Sequence, residues 1–382
     1  MILDKLFQLM AEKQASDIFI SAGMPIHIKI QGNTLPVNQQ LMDSAMIEKI
    51  AFELMSQDQQ RTFEATMEMN LSFGVPNIGN FRINIFRQRA SISIVVRYIL
   101  GNIPALDTLA LPSVLADLIM ERRGLILIVG STGSGKSTTI ASMLDHRNAN
   151  RSGHILTIED PIEFLFKHKK SIVNQRELGM DTLGWEPALK NAMRQAPDCI
   201  LIGEIRDKET MQAAIAYAQT GHLCLATLHA NNSYHALNRV INFFPLDTRT
   251  SLYLDLSASL KAIVSQRLVR ATAGGRVPVI EILFNTKLVA ELIEQGNFAG
   301  VKEAMEKSIA EGSQAYEEHF AKLINDGTIT RDEGLAFADS PTNLLWRLQN
   351  DQQIPGRSAV KKEEQASDEA SFTEITLDVR EG

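Results

Sequence analysis

Polar and apolar positions alternate in two blocks within the first hundred residues. "SDIFISAGMPIHIKIQGNTLPV" alternates around two turn-forming breaks, and "FRINIFRQRASISIVVRYI" alternates over its whole length. A period of two predicts strands that bury one face. Between the blocks, residues 43–66 have a helical pattern. Residues 1–16 also predict a helix, with an apolar face of Ile2, Leu6, Leu9 and Met10.

These patterns predict an α+β domain with an antiparallel sheet over residues 1–100. The segment "GNIPALDTLALP" at 101–112 carries Pro104 and Pro112 and predicts a linker.

The character of the sequence changes from residue 113. Four apolar runs without alternation follow, "LILIVG", "HILTIED", "CILIGE" and "HLCLATLH", separated by helical stretches. Strands of this kind are buried on both faces, which is typical of a parallel sheet covered by helices. Beyond 248 the pattern is mostly helical and includes "SLYLDLSASLKAIVSQRLVR", while "RVPVIEILF" predicts a strand. Residues 113–350 therefore predict one α/β domain.

Charge and cysteine usage narrow the function classes. The chain of 382 residues has a formal net charge of −7, which argues against a surface built to bind nucleic acid. Its two cysteines, Cys199 and Cys224, lie in apolar runs and predict buried, reduced thiols in a cytoplasmic protein. No apolar run approaches the roughly 20 residues of a membrane span. The N-terminus lacks the basic region and cleavage site of a signal peptide.

The last segment, 351–382, is polar and holds eight acids against four bases, a net charge of −4. This composition predicts a disordered acidic tail. The alternative is that "SFTEITL", which alternates, docks as a strand.

The sequence "LILIVGSTGSGKSTTIASML" contains a phosphate-binding loop at Gly130–Ser137, between a buried strand and a helix. In such a loop, glycines bring backbone N–H groups onto phosphate, and the following helix adds its positive N-terminus. We expect Lys136 to reach the terminal phosphates of ATP and Ser137 to bind Mg²⁺. The candidate nucleotide-binding residues are Gly130, Ser131, Thr132, Gly133, Ser134, Gly135, Lys136, Ser137 and Thr138.

Two further motifs carry acids at strand ends. "DCILIGEIRD" ends a buried strand at Glu204, which we expect to organise Mg²⁺ beside the phosphate loop. "TIEDPIEF" crowds Glu159, Asp160 and Glu163 at the end of another strand. One of these acids can accept a hydrogen bond from an attacking water, and others can hold Mg²⁺ or an arginine. The alternative for this motif is a solvated turn.

The motif "TGHLCLATLHANNS" places His222 and His229 at the two ends of an apolar run. Beside a phosphate site, such histidines can sense or polarise the phosphate. The alternative is an ordinary histidine at a strand end, and a metal site is not expected because short-spaced partner ligands are lacking.

These four motifs, in this order and behind an antiparallel domain, resemble the secretion ATPase superfamily. Within it the chain is most similar to the type IV pilus retraction ATPases of the PilT/PilU family, through "SDIFISAGMPIHIKIQG", "FRINIFRQRASISIVVRYI" and "SLKAIVSQRLVR". "KLVAELIEQG" at 287–296 keeps the leucines but loses the arginines of the PilT helix "AIRNLIRE". This departure and the acidic tail resemble the PilU type.

The resemblance implies a PAS-like α+β N-terminal domain followed by a RecA-like P-loop ATPase domain, with ATP and Mg²⁺ as cofactors. It implies that Glu163 is the catalytic base, with Glu159 a second acid of the same motif, and that Glu204 is the Walker B acid. His222 and His229 belong to the histidine motif. Arg82 and Arg97 match arginines that close over the nucleotide phosphates; for these two the alternative is a solvated strand face.

The resemblance also implies a homohexamer at the cytoplasmic face of the inner membrane. Its partners would be a PilT-type retraction ATPase and the inner-membrane platform protein of the pilus, with no nucleic acid. The two cysteines cannot form the four-cysteine zinc module of extension ATPases, which favours retraction. The alternatives are a nucleotide-binding adaptor with weak hydrolysis and a nucleic-acid translocase.

Overall fold

The computed structural model of the chain describes residues 2–30, 32–76, 78–99, 101–307 and 312–350. The predicted tail at 351–382, with "SFTEITL", lies outside the described residues.

The N-terminal part forms one antiparallel sheet with helices, as predicted. Its strands lie in the order β3-β2-β1-β6-β5-β4. The alternating apolar positions pack with α1 and α2 into a core of their own. The elements are α1 (Ile2–Lys13), β1 (Asp17–Ile20), β2 (His27–Ile30), β3 (Asn33–Pro36), α2 (Ser44–Leu54), α3 (Gln57–Thr66), β4 (Glu68–Val75), β5 (Gly79–Gln88) and β6 (Ser91–Ile99).

The second part is built on a mostly parallel sheet between helices. Its elements are α4 (Val114–Ile119), β7 (Gly124–Val129), α5 (Lys136–Asn150), β8 (Gly153–Glu159), β9 (Ser171–Glu177), α6 (Trp185–Ala192), β10 (Cys199–Ile202), α7 (Lys208–Gln219), β11 (Leu223–Leu228), α8 (Ser233–Asn242), α9 (Arg249–Ser259), β12 (Leu260–Arg270), β13 (Arg276–Phe284), α10 (Lys287–Glu294), α11 (Phe298–Glu306), α12 (Tyr316–Asn325), α13 (Arg331–Phe337) and α14 (Pro341–Asn350).

The strand order in this sheet, β13-β12-β7-β11-β10-β8-β9, determines which loops meet. All neighbouring pairs except β12–β13 are parallel, so the carboxyl ends of β7, β11, β10 and β8 lie at one edge. The four strands are the four predicted apolar runs, and each of them is buried over most of its length. Ligands of open α/β sheets bind at this edge. The predicted fold class is confirmed.

Three elements differ from the prediction. The helical stretch 43–66 is two helices, because Ser56 caps the second one through a capping box with Gln59. The run "SLYLDLSASLKAIVSQRLVR" is helical only in its first half. Its second half is β12, whose apolar residues are buried between β7 and β13. The sequence interpretation also missed β9, at the edge of the parallel sheet.

Two predictions about single features can be compared with the described residues. Cys199 and Cys224 are free and buried, as predicted. Within the described ranges, no helix is both long enough and apolar enough to cross a membrane.

Candidate active site

The phosphate-binding loop connects β7 to α5 at the carboxyl edge of the sheet. Gly130 has a φ of +152°, and a Cβ there would lie 2.5 Å from the carbonyl oxygen of Gln266 on β12. Only glycine allows this close approach. Behind the loop, the Thr139 hydroxyl donates to Oε1 of Gln266 at 2.7 Å in a fully buried contact. The loop and the first turn of α5 therefore pack against Gln266 of β12.

The other loop residues fit a bound phosphate chain. Ser131, Thr132 and Gly133 are exposed, and α5 begins at Lys136 directly behind them. The buried Oγ of Ser134 has no hydrogen-bond partner among the residues that the structure describes. A cradle of this shape, with a helix N-terminus aimed into it, is suited to a nucleotide phosphate.

The side chain of Lys136 is held by backbone carbonyl groups of the phosphate-binding loop. Nζ donates to the carbonyl oxygens of Gly130 at 2.8 Å and Ser131 at 2.9 Å. Burial lowers the pKa of Lys136, while the nearby carboxylates of Glu204 and Glu163 oppose this shift. Lys136 and both acids line the same cavity.

Glu204 follows β10 and lies at the centre of the site. Gly203 before it makes this possible, since a Cβ there would lie 3.0 Å from the Cα of Glu159 at the end of β8. Oε2 of Glu204 accepts from Nε of Arg206 at 2.7 Å, and Oε1 lies 3.2 Å from Nε2 of His229. A second nitrogen of Arg206 contacts Asp160 at 3.3 Å. Both oxygens of Glu204 are therefore engaged.

The acidic motif separates two carboxylates with different environments. Glu163 is exposed and lines the cavity with Lys136, Ser137 and Glu204. Glu159 accepts hydrogen bonds from Thr157 at 2.7 Å and from Gln175 at 3.2 Å. Burial raises the pKa of Glu159 to about 7, although those two hydrogen bonds oppose the shift. Glu163 is the acid that is free to act on a ligand in the cavity.

The histidine motif contributes one residue to the cavity. His229 follows β11 and lines it, whereas His222 precedes the same strand. Seven residues of extended chain separate the two by roughly 20 Å. The ring of His222 lies 3.1 Å from the Thr220 hydroxyl and 3.2 Å from the carbonyl of Tyr217. In this structure His222 has the place of an ordinary strand-end histidine outside the cavity, because a strand presents its two ends to opposite edges of the sheet.

Neither predicted arginine lines this cavity. Arg82 and Arg97 are paired across β5 and β6. Arg82 forms an ion pair with Glu177 at the end of β9, and Arg97 contacts Asp17 on β1 at 2.8 Å. In this structure each of the two arginines has a carboxylate partner outside the cavity. The alternative of a solvated strand face does not fit Arg82, whose side chain is 20% exposed, but it fits Arg97, whose side chain is 66% exposed.

Sequence reasoning assigned no role to Arg206, Gln266 or Glu177, which contact the site residues. Arg206 stands inside the quoted motif "LIGEIRD", so its proximity to Glu204 was a usable signal. Gln266 and Glu177 reach the site from strands distant in sequence, and nothing in their local pattern distinguishes them.

Comparison with known proteins gives consistent matches over most of the chain. The family model described as "Type II/IV secretion system protein" matches residues 1–333. The "Type IV pilus ATPase PilU" of Pseudomonas aeruginosa is 46% identical over 345 residues, which cover 90% of each chain. The "Type IV pilus retractation ATPase PilT" of the same organism is 37% identical over 344 residues, covering 90% of this chain and 100% of the relative.

A solved structure supports the same grouping. The crystal structure of the pilus retraction motor PilT with bound ADP superposes with a TM-score of 0.83 at 38% identity, covering 90% of this chain and 98% of that one. These matches include both the N-terminal sheet and the part of the chain that forms the cavity. The chain therefore belongs to the type II/IV secretion system protein family and is an ATPase of its PilT/PilU group.

Proposed function

We propose that this chain is a motor subunit for type IV pilus retraction, of the PilU type, which works as an accessory to a PilT-type motor. The observation that carries the proposal is the convergence of four motifs on one cavity. Lys136, Glu163, Glu204 and His229 come from four different strand ends, and all of them line it. The similarity to a relative named PilU supports the specific type.

Each residue of the cavity has a role in the proposed reaction. Lys136 exchanges its two carbonyl partners for the β- and γ-phosphates of ATP. The Ser137 hydroxyl and the Glu204 carboxylate would hold Mg²⁺, which neutralises phosphate charge when it is bound. Their position beside the phosphate loop fits this use. Before Mg²⁺ binds, Arg206 and His229 each contact one carboxylate oxygen of Glu204.

Glu163 is the proposed general base. It is exposed to the cavity and close enough to Lys136 to influence that residue electrostatically. Glu159 already accepts hydrogen bonds from Thr157 and Gln175, so it suits a structural role at the strand end. A base must lie within hydrogen-bond reach of the attacking water, and an enclosed carboxyl that is already bonded is poorly placed for that.

The assembly and its surroundings belong to the same proposal. We propose a homohexamer at the cytoplasmic face of the inner membrane, bound there through the pilus platform protein and a PilT-type ATPase, without nucleic acid. We also propose that residues 1–100 and 113–350 are separate domains joined by 101–112. The hydrophobic clusters support this division, because the cluster of the N-terminal sheet contains no residue of the second part.

Deletion of the gene in its native host tests the direction of force. Loss of surface motility with an excess of pili supports retraction, whereas loss of pili contradicts it.

Purified protein tests the adaptor and translocase alternatives. Wild-type turnover equal to that of a Glu163→Gln variant favours an adaptor, and tight, salt-sensitive binding of single-stranded DNA on a filter favours a translocase.

A further inference from the structure

Glu177, at the end of β9, holds two parts of the chain with its two carboxylate oxygens. Oε1 accepts from Nη2 of Arg82 at 2.5 Å, and Oε2 accepts from the backbone N–H of Ile162 at 3.1 Å. The side chain is 8% exposed, so these partners replace water. Arg82 belongs to β5 of the N-terminal sheet, and Ile162 directly precedes Glu163. One buried carboxylate thus connects the N-terminal sheet to the acidic motif.

The segment that carries Glu163 depends on side chains of β9 for its shape. Residues 160–170 contain no helix or strand. Gln175 accepts from the backbone N–H of Phe166 at 2.9 Å and donates to the carbonyl of Phe164 at 2.8 Å. Gln175 and Glu177 are two positions apart on a strand and project from the same face. The two side chains hold the acidic segment from either side of Glu163.

The backbone of Glu177 is fixed on both sides. Its N–H donates to Oδ2 of Asp181 at 2.8 Å, and it pairs with Glu159 in the register of β8 and β9. A fixed backbone leaves the carboxylate as the movable part of the contact. If Arg82 moves with the N-terminal sheet, the buried carboxylate loses its charged partner. Any reorientation of the carboxylate that follows would act on its bond to Ile162, the residue next to Glu163.

We propose that Glu177 is a positioning residue for ATP hydrolysis, which makes the placement of Glu163 depend on the placement of the N-terminal sheet through Arg82. The inference rests on the proposed role of Glu163 as the base. It requires that turnover depends on the Arg82–Glu177 pair while ATP affinity, which the phosphate loop provides, does not.

Steady-state kinetics of the full chain test this dependence. Glu177→Ala removes both contacts, and we expect kcat to fall by about 10- to 100-fold, because a displacement of about 1 Å in a catalytic arrangement can cost about 10²-fold. KM for ATP should stay within about threefold. Glu177→Gln keeps an acceptor for Ile162 and should give an intermediate kcat. A general loss of structure would not lower kcat while leaving KM nearly unchanged.

A double-variant cycle tests the connection to the N-terminal sheet. Arg82→Ala and Glu177→Gln break the same pair, so the double variant should be no slower than the slower single variant. Arg87→Ala is the matched control, since this arginine of the same strand packs over Phe63 at 5.6 Å, and its kcat should equal that of the wild type.

The outcomes separate this inference from the proposed function. A normal kcat for Glu177→Ala, measured where Glu163→Gln is slow, overturns the inference alone. Rate losses that multiply in the double variant overturn it as well, because the two residues then act independently. A wild-type rate equal to that of Glu163→Gln overturns the proposed function and the inference with it. If Glu177→Ala does not fold, the cycle with Glu177→Gln decides the question.

Discussion

Glu281 on β13 provides a test of stability against pH. Its residue is 8% exposed, and Oε1 accepts from both the backbone N–H and the hydroxyl of Ser233 at 2.7 Å. Burial raises the pKa of this carboxyl from 4.5 to about 7, although the bonds from Ser233 oppose the shift. Ser233 begins α8, just beyond the loop that carries His229, so Glu281 anchors the start of the helix that follows this loop.

The direction in which the free energy of unfolding changes with pH depends on how many protons the native and unfolded states bind. Between pH 4.5 and 7 the native protein holds a proton on Glu281 that the unfolded chain has released. The free energy of unfolding therefore falls as the pH rises through this window. Above pH 7, Glu281 is ionised in both states and causes no further change. A pKa difference of this size corresponds to about 3 kcal/mol.

Glu281→Gln keeps an oxygen for Ser233 and removes the charge. We expect the free energy of unfolding of the variant to exceed that of the wild type by about 3 kcal/mol at pH 8 and by no more than about 1 kcal/mol at pH 5. Urea unfolding followed by tryptophan fluorescence measures this, because Trp185 and Trp346 are the two tryptophans of the chain and both lie in the second part. Glu159 is unchanged in both proteins, so its own titration cancels.

Glu303→Gln is the control, since Glu303 is an exposed carboxylate paired with Lys307, which lowers its pKa. Its difference from the wild type should stay constant between pH 5 and 8. A Glu281→Gln difference that is equally constant would refute the reasoning, because Glu281 would then not titrate between the two pH values.

Three further predictions concern the cavity. Lys136→Ala should abolish tight ATP binding, because the loop N–H groups cannot replace its charge; unchanged affinity in isothermal titration would contradict this. Arg206→Ala should lower kcat by about tenfold and leave ATP affinity near the wild-type value, since it frees one oxygen of Glu204 without touching the phosphate loop; steady-state kinetics check both. Glu159→Gln should weaken the pH dependence of ATP affinity between pH 6 and 8, because the wild-type carboxyl also lines the cavity and, with a pKa of about 7, gains negative charge in that window; parallel affinity profiles from titrations at the two pH values would refute this.

Much of the fold was predictable because its strands have clear periods. The alternating blocks gave the antiparallel sheet, and the unbroken apolar runs gave β7, β8, β10 and β11. The error in β12 has a physical origin. An apolar run that follows a helix is compatible with either state, and its burial between β7 and β13 decides for the strand.

The candidate site was predictable where motif and strand direction agree. Lys136, Glu163, Glu204 and His229 all follow strands, so their meeting at one edge follows from the parallel order. His222 precedes its strand, and the same rule sends it to the other edge. The contact between Arg82 and Glu177 joins residues 95 positions apart from different sheets, and no local pattern predicts it.

The central claim is that Glu163 takes the proton of the attacking water in this cavity. Single-turnover hydrolysis of ATP by Glu163→Gln at saturating Mg²⁺, with ATP affinity measured by titration, tests it most directly. Glutamine keeps the shape but cannot accept the proton, so hydrolysis should slow by about 10²-fold or more while affinity is kept or raised. Normal hydrolysis by Glu163→Gln, with Glu159→Gln inactive, would contradict the account and assign the base to the earlier acid.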